Sequence, residues 1–407
     1  MNDYKIIGAG IQGCTIALEL ARKGKKVTLI ERDKLIFNRA SLRNEGKVHL
    51  GLVYMNDPSF KTPSLMLKGA LLFRKSLERW IGKKSFDLGL SEPFYYLVAK
   101  DSFLKAEELE KGYQKLQEQF EAWKEDNPDW DYLGTKPEKL YERKPQSEIQ
   151  RIFGNQLVEE GFLTAELAVD TSKLRNHLRD AVLSNKNITV LTNSNVEKIE
   201  SFGGFFNVEI TDSKGNYSLS AEVLINCAWD GKYILDQMMK VPLPPELLHR
   251  LKYRVIVDLP ENLRNKPSAT MVIGRYGDVV NQKNGTAYLS WYPEACIGWS
   301  HAVKPPEEWQ LAAQGIVEPE LSKNLSDRFL IEIEKWYPGI SSSKPKIIDA
   351  GPIVAYGKTD VDDSKSTLHN RSDLGFRSIG NYHSIETGKL TTAPMIAVNF
   401  VNSILGE

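Results

Sequence analysis

Ten residues near the start, "YKIIGAGIQG" (4–13), limit the fold more than any other stretch of this chain. "YKII" is a short apolar run of the kind that forms a buried parallel strand. Gly8, Gly10 and Gly13 come next in G-x-G-x-x-G spacing, and Ile11, Cys14, Ala17, Leu18 and Ala21 then recur at helical intervals. Gly24 reads as the helix stop, with Arg22 and Lys23 complementing the negative end of the helix dipole. "VTLIE" (27–31) reads as a second buried strand that ends in an acid. In this order each glycine has its own task. Gly8 allows a tight turn, Gly10 lets the backbone around Ala9, Ile11 and Gln12 approach a pyrophosphate, and Gly13 lets the helix lie close on the strand. The helix N-terminus offers free N–H groups to the phosphates. Glu31 stands eighteen residues beyond Gly13, where a carboxylate accepts from a ribose hydroxyl, with Arg32 beside it. The unit predicts a Rossmann-like dinucleotide site, and NAD and FAD share this fingerprint. Cys14 reads as small core filler.

The rest of the composition narrows the function classes. The chain has 407 residues, too long for one small core, so two domains are expected. Its 53 basic and 53 acidic residues leave no cationic excess for phosphates, which argues against a nucleic-acid partner. Cys14, Cys227 and Cys296 form neither a CxxC pair nor an even disulfide framework, so a reducing, cytoplasmic location is expected. No basic region followed by an apolar run suggests a signal peptide, and no stretch is long and apolar enough for a transmembrane segment. The six histidines lack HxxxH or HExxH spacing, so no metal site is indicated.

The segment after the second strand separates the dinucleotides. "ASLRNEGKVHLGLVY" (40–54) is too polar for a core strand and too apolar for a solvated loop. It resembles the segment A-S-x-x-N-x-G-x-x-H-x-G of the FAD-dependent superfamily that includes D-amino-acid oxidase, sarcosine and glycine oxidases and L-2-hydroxyglutarate dehydrogenase. Ala40, Ser41, Asn44, Gly46, His49 and Gly51 occupy the matching places, while Glu45 and Lys47 replace small and apolar residues usual there. The resemblance implies that this segment runs along the flavin, with Glu45, Gly46 and Lys47 beside it. It also implies an adenine contact near Val196 and a second dinucleotide turn at "NCAWDG" (226–231). That turn is N-x-A-G-x-W-like in the family, so Trp229 and Gly231 are exchanged here after Ala228. Near the end, Gly388, Lys389, Leu390, Thr391 and Thr392 precede an apolar helix with Pro394 in its first turn. In similar proteins this loop faces the flavin N1–C2=O edge, where backbone N–H groups, a helix dipole and a lysine stabilise the negative charge of the reduced ring.

The implied fold class is α/β: a Rossmann-like FAD-binding domain, glutathione-reductase-type and discontinuous, plus a mixed or antiparallel β-sheet substrate domain with helices. The expected partition gives 1–82, 151–235 and 350–407 to the FAD domain and 83–150 and 236–349 to the substrate domain. "AVDTSKLRNHLRDAV" (168–182) predicts a helix capped near Asp170, and residues 188–200 and the segment around "SKGN" predict short strands. "FLKAEELEKGYQKLQEQFEAWKEDNPDWDYL" predicts a helix with Leu109, Tyr113, Leu116, Phe120 and Trp123 inside. "LKYRVIVDL", "ATMVIGR" and "TAYLSWYP" predict the strands of the substrate sheet, on which Arg254, Arg275, Tyr288, Tyr292 and His301 are polar candidates.

The expected reaction is dehydrogenation of a C–N or C–O bond in a small amino acid or 2-hydroxy acid, with oxygen or a quinone as electron acceptor. His49 and His383 are candidate bases or flavin contacts, and a histidyl–flavin link is one option for either. Arg254, on the substrate sheet, is a candidate clamp for a substrate carboxylate, and the resemblance implies a second in Arg371, nearest to the arginine that the oxidase branches carry just before the last loop. Asp360, Asp362 and Asp363 read as a solvated turn, since a calcium loop's glycine and distal glutamate are missing. Two alternatives stand: an NAD(P)-dependent dehydrogenase, and a flavin-binding subunit without turnover.

Overall fold

The computed structural model describes residues 3–82, 86–361, 363, 365–368 and 373–407. Arg371, His369 and Asp362 lie outside the described residues.

The first unit forms as its pattern predicts. Strand Tyr4–Ile7, helix Ile11–Arg22 and strand Val27–Ile30 follow in order. The two strands pair in parallel, and Val223–Asn226, Tyr382–Glu386 and Ile188–Leu191 extend the parallel sheet. Gly375–Ile379 closes one edge antiparallel, giving six strands. Side chains on a strand alternate between faces, and this alternation divides the core. Ile6, Leu29 and Ile225 pack into the cluster of helices Ile11–Arg22, Lys61–Ile81, Thr171–Leu183 and Ala393–Leu405. Ile7, Ile30 and Leu224 pack the other way, against Ile199, Phe206, Val208 and Ile210. Those last residues belong to a three-stranded antiparallel sheet of Asn195–Phe202, Phe205–Asp212 and Gly215–Ala221.

The capping chemistry agrees with the pattern. Asp170 accepts from the backbone N–H of Ser172 and Lys173 at 2.8 and 3.2 Å, a side-chain N-cap. Pro394 sits in the first turn of the last helix, and Gly406 closes it in the left-handed region. Helix Ala106–Asp126 buries Leu109, Tyr113, Leu116 and Phe120 and half-buries Trp123, with its charges outward.

A nine-stranded mixed sheet forms the second layer. Leu247–Asp258 is its organising strand and pairs antiparallel with Thr286–Trp291, Cys296–Ser300 and Lys344–Tyr356. Strands Tyr95–Ala99, Tyr141–Arg143 and Val158–Thr164 extend the far end. Two memberships differ from the expected partition. Val158–Thr164 pairs within this sheet although it follows residue 150, and Lys344–Tyr356 runs past 349. Strand pairing, and not position in the sequence, sets both memberships. Period-2 facing is clear on the organising strand. Leu251, Tyr253, Val255 and Val257 pack into a core with helix Pro319–Glu334, while Arg250, Lys252 and Arg254 alternate with them and face the other side.

Candidate active site

A cavity of about 520 Å³ lies where the six-stranded and nine-stranded sheets meet, and both supply its walls. One end is built by the glycine turn. Gly8 has φ +96, and a Cβ there would stand 2.5 Å from the carbonyl oxygen of Cys227 in the second turn. At Gly13 a Cβ would lie 1.9 Å from the Gly8 carbonyl oxygen, so only glycine lets the helix start so close to the strand. Gly10, Ile11 and Gln12 line the cavity, and the helix begins with no side-chain cap and no acid in its first turn. Its positive end is therefore left for an anionic group. Ser41 Oγ accepts from the Ile11 N–H at 2.9 Å, tying the 40–54 segment to this turn.

Glu31 also lines the cavity, but much of its carboxylate is engaged with its own loop. It accepts from the N–H of Ala9 at 2.7 Å and of Asp33 at 2.9 Å. Burial pushes its carboxyl above the usual range despite these two bonds. Ala9 is fully buried and, like Gly13, does not line the cavity. Arg32 donates to both oxygens of Asp230 at 2.9 Å, joining the end of strand Val27–Ile30 to the second turn. In that turn Ala228, Trp229 and Gly231 face the cavity, and Val196 faces it from the three-stranded sheet. Trp229 takes φ +51. The position at which the related pattern carries glycine is left-handed here, and the indole Nε1–H bond to the Pro352 carbonyl, 2.8 Å, holds the tryptophan in it.

The mixed character of residues 40–54 now has a physical reason. Val48, Leu50 and Leu52 are fully buried in the core. Ala40, Ser41, Asn44, Glu45, Lys47 and His49 line the cavity. Asn44 folds the segment on itself: its Nδ2 donates to the carbonyls of Ala40 and Ser41, and its Oδ1 accepts from Gly46 N–H. Gly46 has φ +73, and a Cβ there would meet the Val169 carbonyl oxygen at 2.1 Å, so it shapes the turn without lining the cavity. The segment is clamped from the C-terminal side. Thr391 Oγ1 accepts from the His49 N–H at 2.9 Å, and Thr392 Oγ1 donates to the Thr387 carbonyl at 2.7 Å. Both threonines are fully buried behind Gly388, Lys389 and Leu390, which line the cavity.

Charges concentrate at this end. Lys47 Nζ donates to Asp278 Oδ1 at 2.5 Å and to Thr270 Oγ1 at 2.6 Å. His49 Nδ1 lies 3.2 Å from Glu166 Oε1, and its Nε2 lies 3.6 Å from Glu45 Oε1. Lys252 enters the cavity from the organising strand, 4.6 Å from the Tyr292 ring centroid. Burial raises the Glu45 carboxyl, but His49, Lys252, Lys389 and Lys47 outweigh it and hold it well below the usual value. Tyr276, Tyr288 and Tyr292 complete the wall.

Two residues expected at the chemistry are elsewhere. His383 sits on strand Tyr382–Glu386 outside the cavity lining. Its ring packs edge-on against Phe400 at 5.2 Å, and its Nδ1 is 2.7 Å from Ser378 Oγ. Burial lowers it to about 4, so it is a neutral packing residue. Arg254 does not line the cavity. Its Nε and Nη2 pair with Asp349 at 2.6 and 3.2 Å, and its Nη1 donates to the carbonyls of Leu42 and Asn44. It braces the 40–54 segment from behind. Arg275 and His301 are exposed, and Arg275 is not in the wall. Sequence reasoning misses Lys252, Glu166 and Asp278. The alternation "RLKYR" (250–254) carries the signal for Lys252, but Glu166 and Asp278 have no local signature. Among the described residues no group of His, Cys, Asp and Glu could hold a metal ion, and no helix is long and apolar enough to cross a membrane.

The donor set fits FAD. The glycine turn and uncapped helix suit a pyrophosphate, and Gln12 Oε1 is buried at the cavity wall without a hydrogen-bond partner. The walls continue past Val196, along the 40–54 segment, to the 388–390 loop. Comparison with known proteins agrees. The FAD dependent oxidoreductase family matches residues 3–382. Glycine oxidase from Geobacillus kaustophilus superposes with a TM-score of 0.70 at 14% identity, covering 100% of this chain and 96% of that one. Dithionite-reduced L-α-glycerophosphate oxidase from Mycoplasma pneumoniae, with FAD bound, gives 0.67 at 16% identity, covering 98% and 94%. At these identities the likeness is one of fold. A curated glycerol 3-phosphate dehydrogenase from Caloramator mitchellensis is 38% identical over 73 residues, 18% of this chain, and the match spans 15% of that protein's length. With the glycine turn, the 40–54 segment and the C-terminal loop around one cavity, the chain belongs to the FAD-dependent oxidoreductase family, and it is an FAD enzyme.

Proposed function

We propose that the enzyme dehydrogenates a small amino acid or 2-hydroxy acid at the C–N or C–O bond beside its anionic group, with oxygen or a quinone as the final acceptor. The observation that supports this most is the charge pattern on strand Leu247–Asp258. Three cations alternate on its cavity side. Arg250 pairs with Asp360 at 2.7 Å and Arg254 with Asp349 at 2.6 Å. Lys252 between them has no carboxylate within ion-pair distance among the described residues, and it is the one that enters the cavity. An anion of the substrate completes the series.

The pyrophosphate of FAD belongs with Gly10, Ile11, Gln12 and Ser41, its adenine with Val196, and its ring with Asn44, Lys47 and Gly388–Leu390. Bound FAD supplies a two-electron acceptor at N5. Lys252 holds the substrate anion as a point charge, flanked by the tyrosines. As the substrate carbon gives up its hydride, its O–H or N–H must give up a proton, and His49 Nε2 takes it. In the resting protein the Glu45 carboxylate covers that nitrogen. Lys252, Lys389 and Lys47 all favour the charged form of Glu45, so Glu45 serves as the internal counter-ion that the substrate anion replaces.

The test begins with the visible spectrum of the purified protein, where oxidised flavin absorbs near about 370 and 450 nm. Acid precipitation then separates free from covalent flavin. Anaerobic addition of glycine, proline, 2-hydroxyglutarate and glycerol 3-phosphate comes next. Bleaching by an amino or 2-hydroxy acid supports the reading. Bleaching only by the phosphate ester, or by none of these, overturns it.

A further inference from the structure

Glu166 is a fully buried carboxylate between strands Val158–Thr164 and Leu167–Ala168. A buried charge is costly unless paired and hydrogen-bonded. Its Oε2 accepts from the Leu50 N–H at 2.8 Å, and its Oε1 accepts from the Tyr96 hydroxyl and lies 3.2 Å from His49 Nδ1. Around the imidazole stand Glu45 at Nε2, Lys47 on the same segment, and Tyr54, whose ring is edge-on at 5.5 Å. Thr391 holds the His49 backbone. The imidazole is thus fixed by a donor–acceptor contact on its inner nitrogen and covered by an ionised carboxylate on its outer one.

We propose that Glu166 is a positioning residue: it holds His49 with Nδ1–H directed inward, which leaves the Nε2 lone pair for the substrate proton and steadies the imidazolium once formed. The proposal rests on the reading of His49 as the base. An acceptor on one ring nitrogen selects the tautomer and orients the ring. Glu166 is charged in this role. Burial acts to raise its carboxyl, but His49 and Lys47, with the Tyr96 hydrogen bond, bring it below the usual range.

The test is Glu166→Gln in the FAD-loaded enzyme, read in two ways. With 15N-labelled histidine, the wild type should show His49 protonated at Nδ1, and the variant should lose that preference. This readout needs no substrate, so it decides the proposal even if no acid bleaches the flavin and the proposed reaction fails. With a bleaching acid, the rate of flavin reduction should fall about 100-fold, with KM little changed and the acid limb of the pH profile moved. In a His49→Asn background the same change should cost nothing further. An unchanged tautomer, or an equal loss in both backgrounds, overturns the proposal. If Glu166→Gln fails to fold, Tyr96→Phe decides. It removes one donor from Glu166, strengthens its hold on His49 and should move the acid limb to higher pH, whereas an unmoved limb overturns the proposal.

Discussion

Lys252 and its two neighbours show how much a single side chain's partner matters. Arg250, Lys252 and Arg254 occupy equivalent positions on one strand face, yet two are ion-paired to aspartates while Lys252 feels Glu45 and Asp278 only from beyond ion-pair distance. A charge-assisted hydrogen bond is worth about 1.5–3 kcal/mol, which converts to roughly 10- to 100-fold in affinity. Lys252→Met should therefore raise KM for an anionic substrate by about that factor, while flavin content stays at the wild-type level. Steady-state kinetics beside the absorbance ratio of the purified variant checks this, and an unchanged KM would remove Lys252 from the substrate site. Lysine also differs from the arginine clamp expected from the sequence, because it offers a point charge and no planar fork.

At the scale of elements, the 388–392 loop and the 40–54 segment act as one piece through Thr391. Thr391→Val keeps the volume but leaves the buried His49 N–H without its acceptor, a cost of about 1–3 kcal/mol. Urea unfolding of the FAD-loaded protein should show a loss of that size, and a midpoint equal to wild type would mean the clamp carries no stability. The strand–helix contact at His383 gives a pH signature. Its value in the folded protein is about 4, below the ~6.5 of an unfolded histidine. The folded state thus binds fewer protons, so its stability is complete above pH ~6.5 and is lost as pH falls toward about 4. His383→Gln should show a smaller drop in urea midpoint between pH 7 and about 4.5 than the wild type. An equal drop would show that other groups govern the transition.

For the whole molecule, the cofactor cavity is a seam between two sheets, and whatever fills it should hold the layers together. A ligand that binds only the folded state adds about 2.7 kcal/mol at a hundredfold excess over its Kd. Stripping FAD should lower the melting temperature, and adding it back should restore it in a concentration-dependent way. Identical melting curves for apo and FAD-loaded protein would contradict the placement of FAD across the seam. Acid should open the same region. Glu45, Glu166 and Asp278 all sit below their usual values, so their contribution is present above pH ~4 and is lost as pH falls through the lower folded values.

The Rossmann unit was readable from residues 4–31 because its determinants are local: period, glycine spacing and a strand that ends in an acid. The 40–54 segment announced itself by mixed polarity, since one of its sides meets core and the other a cavity. Val196, Trp229 and the 388–390 loop came only through resemblance, and each lines that cavity. The catalytic end was far less legible. Arg254 and Lys252 look alike in sequence, and only the pairing of Leu247–Asp258 with Lys344–Tyr356 puts Asp349 beside the first. His383 and His49 both lie in segments that the resemblance sets beside the flavin, yet one ring turns onto Phe400 and the other into the cavity. Glu166 reaches His49 across a sequence separation of 117 residues. Local pattern determines which elements form and which turns admit a dinucleotide. Which charges are neutralised, and which are left for a substrate, is decided only when distant strands pair, because ion pairing depends on distance in space and not along the chain.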